Sequence, residues 1–276
     1  MIRPPAVAGR FYPSDADELA QQVKQCLARE PLDERSAIPA LGCMVPHAGY
    51  IYSGRVAGAV YSRIAIPSRC ILLGPRHFPR GGPLAILTEG TWQTPLGEVS
   101  IDSDLAGQLA HAFPSLREDA LAHEAEHSLE VQLPFLQVLR PDIRIVPVVL
   151  ATDRYPVLEE LGLAVAQVVK AEKEKAQNDG VLVIASSDMN HYESDAVTRE
   201  KDERAVRRVL ALDPRGLFDE VRAHGITMCG YAATVAMLVA MRELGAENAE
   251  LLAYGTSGDV NGDRERVVGY AGIAIQ

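Results

Sequence analysis

Six apolar runs of strand length alternate with longer amphipathic segments, and this alternation constrains the fold more than any other feature. The runs are LGCMV (41–45), CILLG (70–74), IRIVPVVLA (143–151), VLVIASS (181–187), ELLAYG (250–255) and VVGYAGIAI (267–275). Their periodicity leaves no polar face, so each strand is covered on both sides. The segments between them predict helices over 15–29, 54–64, 104–112, 128–139, 156–176, 195–212 and 231–244. Together these describe an α/β protein with a central, largely parallel sheet flanked by helices. LAILTEGTWQTPLGEVSI (84–101) differs: it reads as two strands around a Pro/Gly turn, an antiparallel hairpin appended to the core. No repeat or long linker interrupts the chain. The most linker-like stretch, 30–39, reads as a loop before the first strong strand, and residues 1–276 are expected to form a single domain.

Charge narrows the partners. With 27 Lys and Arg against 37 Asp and Glu, the formal net charge is −10, which disfavours nucleic acid and anionic membrane surfaces. The opening MIRPPAVAGRFYPSD has no apolar core of a secretion signal, and YAATVAMLVAM is too short to cross a bilayer. The four cysteines are scattered, which in such a chain suggests free thiols. The expected location is the cytoplasm.

In open α/β sheets, ligands bind beyond the carboxyl ends of the strands, so the residues after each run bear most directly on function. LGCMV is followed by Pro46-His47-Ala48-Gly49-Tyr50, CILLG by Pro75-Arg76-His77, and VLVIASS by Asp188-Met189-Asn190-His191. Cys229 stands at the start of the helix from Tyr231, where free N–H groups and the helix dipole favour a thiolate. Any one of these residues alone fits a loop, a cap or a packed core. Their recurrence at one edge suggests one crevice. Imidazole and thiolate suit iron, copper or zinc, whereas magnesium or calcium would require oxygen donors. Two histidines and one anionic ligand would leave positions open for water, dioxygen or a small substrate, with Asp188 and His191 as acid and base. Tyr50 either donates a hydrogen bond to a bound ligand or packs.

Two other motifs compete. His123-Glu124-Ala125-Glu126-His127 matches the zinc-hydrolase pattern H-E-x-x-H, which requires both histidines on one helix face. Ser128 reads as a helix N-cap, which leaves His123 in the preceding loop, with Glu126 and His127 bordering the crevice as supporting groups. Asp259-Val260-Asn261-Gly262-Asp263 resembles a calcium loop, but its glycine comes too early, and a polar turn is expected. Gly54 and Gly58, four apart on a helix, predict close packing on the sheet.

The ordered set PHAGYIYSG (46–54), LGPRH (73–77), EHSLEVQLPFLQ (126–137), SSDMNHY (186–192) and MCGYAATVAML (228–238) resembles the Memo family, whose prokaryotic members are called AmmeMemoRadiSam system protein B. The likeness runs from AGRFYP (8–13) to GYAGIAI (269–275). It implies the fold of the class III extradiol dioxygenases, with His47, His77 and Cys229 at the family's metal-ligand positions. Asp188 and His191 match residues lining the pocket, and Glu126 and His127 match the motif beside it. The dioxygenases hold iron with two histidines and a carboxylate. A thiolate in the carboxylate's place shifts the preference toward copper(I) or zinc and away from ring cleavage. Three functional expectations result. The first is a redox-active iron or copper protein acting on dioxygen or a small molecule. The second is a vestigial enzyme pocket that binds a peptide or protein partner. The third is a zinc hydrolase using His123 and His127.

Overall fold

A computed structural model describes residues 1–27, 37–175 and 180–276. The expected loop over 30–39 therefore lies mostly outside the described residues, as do the last residues of the helices expected over 15–29 and 156–176. In chain order the elements are β1 (Ile2–Arg3), α1 (Ala16–Leu27), β2 (Gly42–Val45), α2 (Tyr50–Tyr61), β3 (Arg69–Pro75), β4 (Leu84–Ile86), β5 (Thr91–Thr94) and β6 (Gly97–Ile101). They continue with α3 (Ser103–Ala112), β7 (Arg117–Glu118), α4 (Ala120–Glu124), a 3-10 turn at Glu130–Gln132, α5 (Leu133–Leu139), β8 (Arg144–Leu150), α6 (Tyr155–Lys173) and β9 (Leu182–Ser186). The remainder is β10 (His191–Glu193), α7 (Asp195–Leu210), α8 (Pro214–Ala223), α9 (Tyr231–Glu243), β11 (Ala249–Thr256), α10 (Gly258–Asn261) and β12 (Val267–Ile275).

One mixed sheet runs through the molecule in the order β1-β5-β6-β8-β3-β9-β2-β12-β10, with β11 also on β12 and β4 also on β8. Its centre, β6-β8-β3-β9-β2, is parallel, and β12 closes antiparallel on β2. The doubly apolar runs are these strands: every residue of β2, β3 and β9 is buried. α2 lies on one face, backed by α1 and α5, and α9 covers β3, β9 and β2 on the other, backed by α6 and α8. This is the α/β architecture expected from the sequence, and it is consistent with a dioxygenase-like fold.

Local differences have physical causes. Only 91–101 forms the hairpin, with β5 and β6 antiparallel; β4 instead pairs antiparallel with β8. The hairpin also continues the sheet through β6 rather than hanging from it. The helix expected over 128–139 is split, because Pro134 is tolerated only in the first turn of a helix and so fixes the start of α5 at Leu133. α2 begins at Tyr50, four residues earlier than expected. Its Gly54 and Gly58 face Cys26 of α1 rather than the sheet, and a Cβ at Gly58 would strike the Cys26 backbone. α8 has no counterpart among the helices expected from the sequence; Asp213 caps it by accepting from Gly216 N at 2.8 Å, with Pro214 in its first turn. Asp259 of the calcium-like stretch pairs with Arg199 and Arg264, and α10 ends on Gly262 at φ +79°. Among the described residues no helix is long and apolar enough to cross a membrane.

A buried ion cluster ties β3, α3 and α6 together. Arg69, at the start of β3, pairs with Asp102 at 2.6 Å and with Glu172 of α6, while Asp102 caps α3 through Leu105 N. Burial pushes the Glu172 carboxyl up, but hydrogen bonds from Lys175, Gln108 and Arg69 outweigh it and hold the group at about 2, against 4.5 unperturbed. A folded-state value below the unfolded one gives stability that is present above pH 4.5 and is lost as the pH falls toward 2. Urea unfolding measured from neutral to acid pH is expected to show this decline, and Glu172→Gln is expected to flatten it. An equally steep decline in the variant would assign it to other carboxylates.

Candidate metal centre

β9 lies between β3 and β2, so the chain segments leaving their carboxyl ends are neighbours. They bring His77, Asp188 and His47 into one crevice, and the loop between α4 and α5 adds Glu126 and His127. The His47 and His77 rings are 5.2 Å apart between centroids, His47 and His127 5.6 Å, and His77 and His127 stack at 4.5 Å. One ring nitrogen from each of these three histidines lies within 4.8 Å of the others, an arrangement that can hold a metal ion. His127, expected at the border, thus stands inside the cluster.

The hydrogen bonds orient the rings. His47 Nδ1 lies 2.9 Å from Ser186 Oγ. Ser186 spends its own proton on the Ser128 carbonyl at 2.6 Å and accepts from Gln132 Nε2 at 2.9 Å, so His47 must donate from Nδ1. Its Nε2 lone pair therefore faces the crevice. Gln132 is fixed in turn by its bond to the Pro46 carbonyl and by Tyr61, whose hydroxyl donates to Oε1 at 2.9 Å. His77 Nδ1 donates to Glu126 Oε1 at 2.8 Å, which likewise leaves Nε2 free. Glu126 also accepts from the backbone N–H groups of His77 and Ser128. A carboxylate behind a histidine in this way fixes its tautomer and raises its basicity as a ligand.

The electrostatics keep His47 and His127 neutral and Glu126 charged. Burial, then repulsion from His77, lowers His47 well below the usual histidine value. Burial, then His47, brings His127 down to about 4. Burial pushes Glu126 up, but hydrogen bonding and charge from His77, with the charge of His127, hold it at about 2. At neutral pH His47 and His127 are therefore neutral imidazoles, the state a metal requires of a histidine ligand.

The other expected residues take distinct places. Asp188 is buried and accepts the His47 N–H at 2.7 Å; burial raises its pKa above the ordinary aspartate value. His191, on β10, donates from Nδ1 to the Thr227 carbonyl at 2.9 Å, which leaves Nε2 available to another partner. Cys229 precedes α9, and its Sγ lies 3.2 Å from His47 Nε2. Burial and then the Asp188 charge push this thiol well up, so without a cation nearby it stays protonated; the thiolate expected from the helix start is not its resting state. Tyr50 donates to the Val131 carbonyl at 2.6 Å and packs on Tyr12 and Phe135, so its hydroxyl is committed inside the fold.

The zinc-hydrolase geometry is absent. α4 ends at Glu124, so His123 and His127 do not share a helix face. His123 is fully buried edge-on to Trp92, with ring centroids 5.7 Å apart. Ser186 and Gln132 escape a reading of the sequence. A serine at a strand end carries little signal, and Gln132 sits in a stretch that reads as an ordinary helix.

Comparison with known proteins gives the chain its relatives. The family model described as Memo-like protein matches residues 3–274. A MEMO1 family protein of Methanosarcina barkeri is 41% identical over 276 residues, covering 100% of both chains. One from Pyrobaculum arsenaticum is 41% identical over 280 residues, covering 99% of this chain and 98% of its own. One from Methanocaldococcus jannaschii is 38% identical over 291 residues, covering 100% and 99%. With a full-length match to the family model and identities near two in five over entire chains, this protein belongs to the Memo family.

Proposed function

We propose that the protein is a redox-active metal protein in which His47, His77 and His127 hold iron or copper, with zinc as the non-redox alternative. The observation that carries this reading is the donor set: imidazoles of which His47 and His77 commit Nδ1 to Ser186 and Glu126 and turn Nε2 toward the crevice, where the Cys229 sulfur lies 3.2 Å from His47 Nε2. All-nitrogen sites of this kind suit iron, copper and zinc rather than magnesium or calcium. A bound iron or copper would supply electron transfer to dioxygen or a small molecule. The protein's own groups do the rest. Asp188 holds the His47 backbone, His191 offers Nε2 as a proton acceptor, and Cys229 adds a soft donor beside His47.

A second reading, a pocket that binds a peptide or protein, is favoured by the apolar rim. Ile51 and Tyr192 are 68% and 64% exposed, with Phe78 at 42%. Exposed apolar groups around a crevice mark binding surfaces.

Metal analysis of protein purified without oxygen separates the readings. Wild type is expected to carry near-stoichiometric iron or copper, and His47→Ala to carry none. Cys229→Ala decides whether sulfur is a ligand: loss of metal places it in the set, and retention leaves the three histidines as the set. Protein that is metal-free and refuses added iron, copper and zinc would overturn the redox reading in favour of the binding module.

A further inference from the structure

Tyr270 presents a group that the metal cluster does not use. It lies on β12 and is only 2% exposed, yet no described residue hydrogen-bonds its hydroxyl, and the oxygen is not among the polar atoms sealed from solvent. A polar group so deeply placed and left open takes its partner from outside the chain.

Its position is fixed by the sheet. Beyond its pairing with β2, β12 runs beside the segment that leaves β9: the Met189 N–H donates to the Gly269 carbonyl at 2.8 Å and the Gly269 N–H donates to the Asn190 carbonyl at 2.9 Å, which sets Tyr270 next to Asp188. A side chain at Gly272 would meet Val56 and Val60 of α2, so Tyr270, two residues away, lies on that same face. Its hydroxyl is within electrostatic reach of Asp188, of Tyr52 on the first turn of α2 and of Tyr192. Burial, then the Asp188 charge, pushes the phenol well up, so Tyr270 is always a donor.

Tyr192 adds a second, independent observation. It adopts φ +63°, a left-handed conformation that an aromatic residue rarely accepts. The neighbours hold it there. The His191 N–H donates to Thr227 Oγ1 at 2.7 Å, and the Glu193 carboxylate accepts from Lys201 at 2.6 Å and Asn190 at 2.7 Å. Strain sustained this way belongs to functional positions. Here it sets an exposed ring beside the pocket, with the Arg266 guanidinium 5.6 Å from its centre.

We propose that Tyr270, Tyr52 and Tyr192 form a ligand subsite beside the histidine cluster, in which Tyr270 donates a hydrogen bond to a neutral carbonyl oxygen on a small aromatic or apolar ligand. The hydroxyl requires an acceptor, and the flanking rings require an apolar body. An anionic acceptor is disfavoured, because burying a charge beside a residue only 2% exposed costs far more than burying a neutral carbonyl. The subsite deepens the small-molecule reading of the pocket and is independent of which metal, if any, is bound.

The test compares acetophenone, ethylbenzene and benzoate, which share a ring and differ in the acceptor. Each is titrated into wild type and Tyr270→Phe with the tyrosine Cζ carbons 13C-labelled, before and after chelation, with metal content measured throughout. Acetophenone is expected to move the Tyr270 resonance and to lose about tenfold in affinity in Tyr270→Phe. Ethylbenzene is expected to bind both proteins equally, and benzoate to bind wild type more weakly than acetophenone. Equal affinity of acetophenone for both proteins, or an unmoved resonance in wild type, would overturn the subsite. So would an ethylbenzene affinity that falls as far as that of acetophenone. The resonance shift is read in wild type, so it stands even if the variant folds poorly. Carbonyl binding that persists in protein that takes up no metal would count against the redox reading alone.

Discussion

Replacing Glu130 with alanine is expected to destabilise the protein by about 3–5 kcal/mol, because it leaves a buried guanidinium without its counter-charge. Arg3 and Glu130 pair at 2.7 Å and are both buried, at 3% and 0% side-chain exposure. Glu130 also accepts from the backbone N–H groups of Ala6 and Val7 and from the Tyr12 hydroxyl. Both carboxylate oxygens are therefore engaged by the N-terminal segment. The effect is expected to reach the histidine cluster as well. Arg3 donates to the carbonyls of His123 and Glu126, at 2.7 and 2.6 Å, and so holds the loop that carries Glu126 and His127. Urea denaturation of Glu130→Ala measures the first effect, and metal content at equal concentration measures the second. A loss below about 1 kcal/mol, within the range of an exposed pair, would show that the pair is not buried in solution.

Glu126→Gln is expected to lower metal affinity by about 10–100-fold, the usual effect of removing a carboxylate behind a ligating histidine. The substitution keeps the volume but offers an amide in place of a carboxylate that now accepts from His77 Nδ1, His77 N and Ser128 N. One of these donors then faces another donor, His77 becomes a weaker base, and its tautomer is no longer fixed. Competition against a chromophoric chelator gives the affinity directly. Unchanged affinity would mean that Glu126 supports the loop without tuning the ligand.

The central strands are legible in the sequence because they are apolar on both faces, a pattern that only a covered sheet satisfies. The residues after them are legible for the same reason: once β2, β3 and β9 are parallel, the segments leaving their carboxyl ends must meet at one edge. His47, His77 and Asp188 are found that way. The place of His127 is not, because the 123–130 loop owes its path to Arg3, which lies more than a hundred residues away in the chain. Tyr270 is invisible for a related cause. It lies within an apolar run, and only the pairing of Gly269 with the segment leaving β9 shows that it stands beside Asp188. α8 is lost because its amphipathic turn pattern is short and comes directly after α7. The glycines of α2 predict a close contact correctly but against the wrong partner, since spacing gives the face and not its neighbour.

The strand order has a consequence for when the pocket comes into being. The ring supports of His47 come from β9 and from the turn before α5, and the strand that closes against β2 is β12, formed by 267–275. A nascent chain still lacking this segment has an unpaired β2 edge. A metal held by the histidine cluster would meet the fully paired sheet only after this strand has been made. An ion bound across strands so distant in sequence would then act as a clasp on the completed sheet, slowing its opening as a unit.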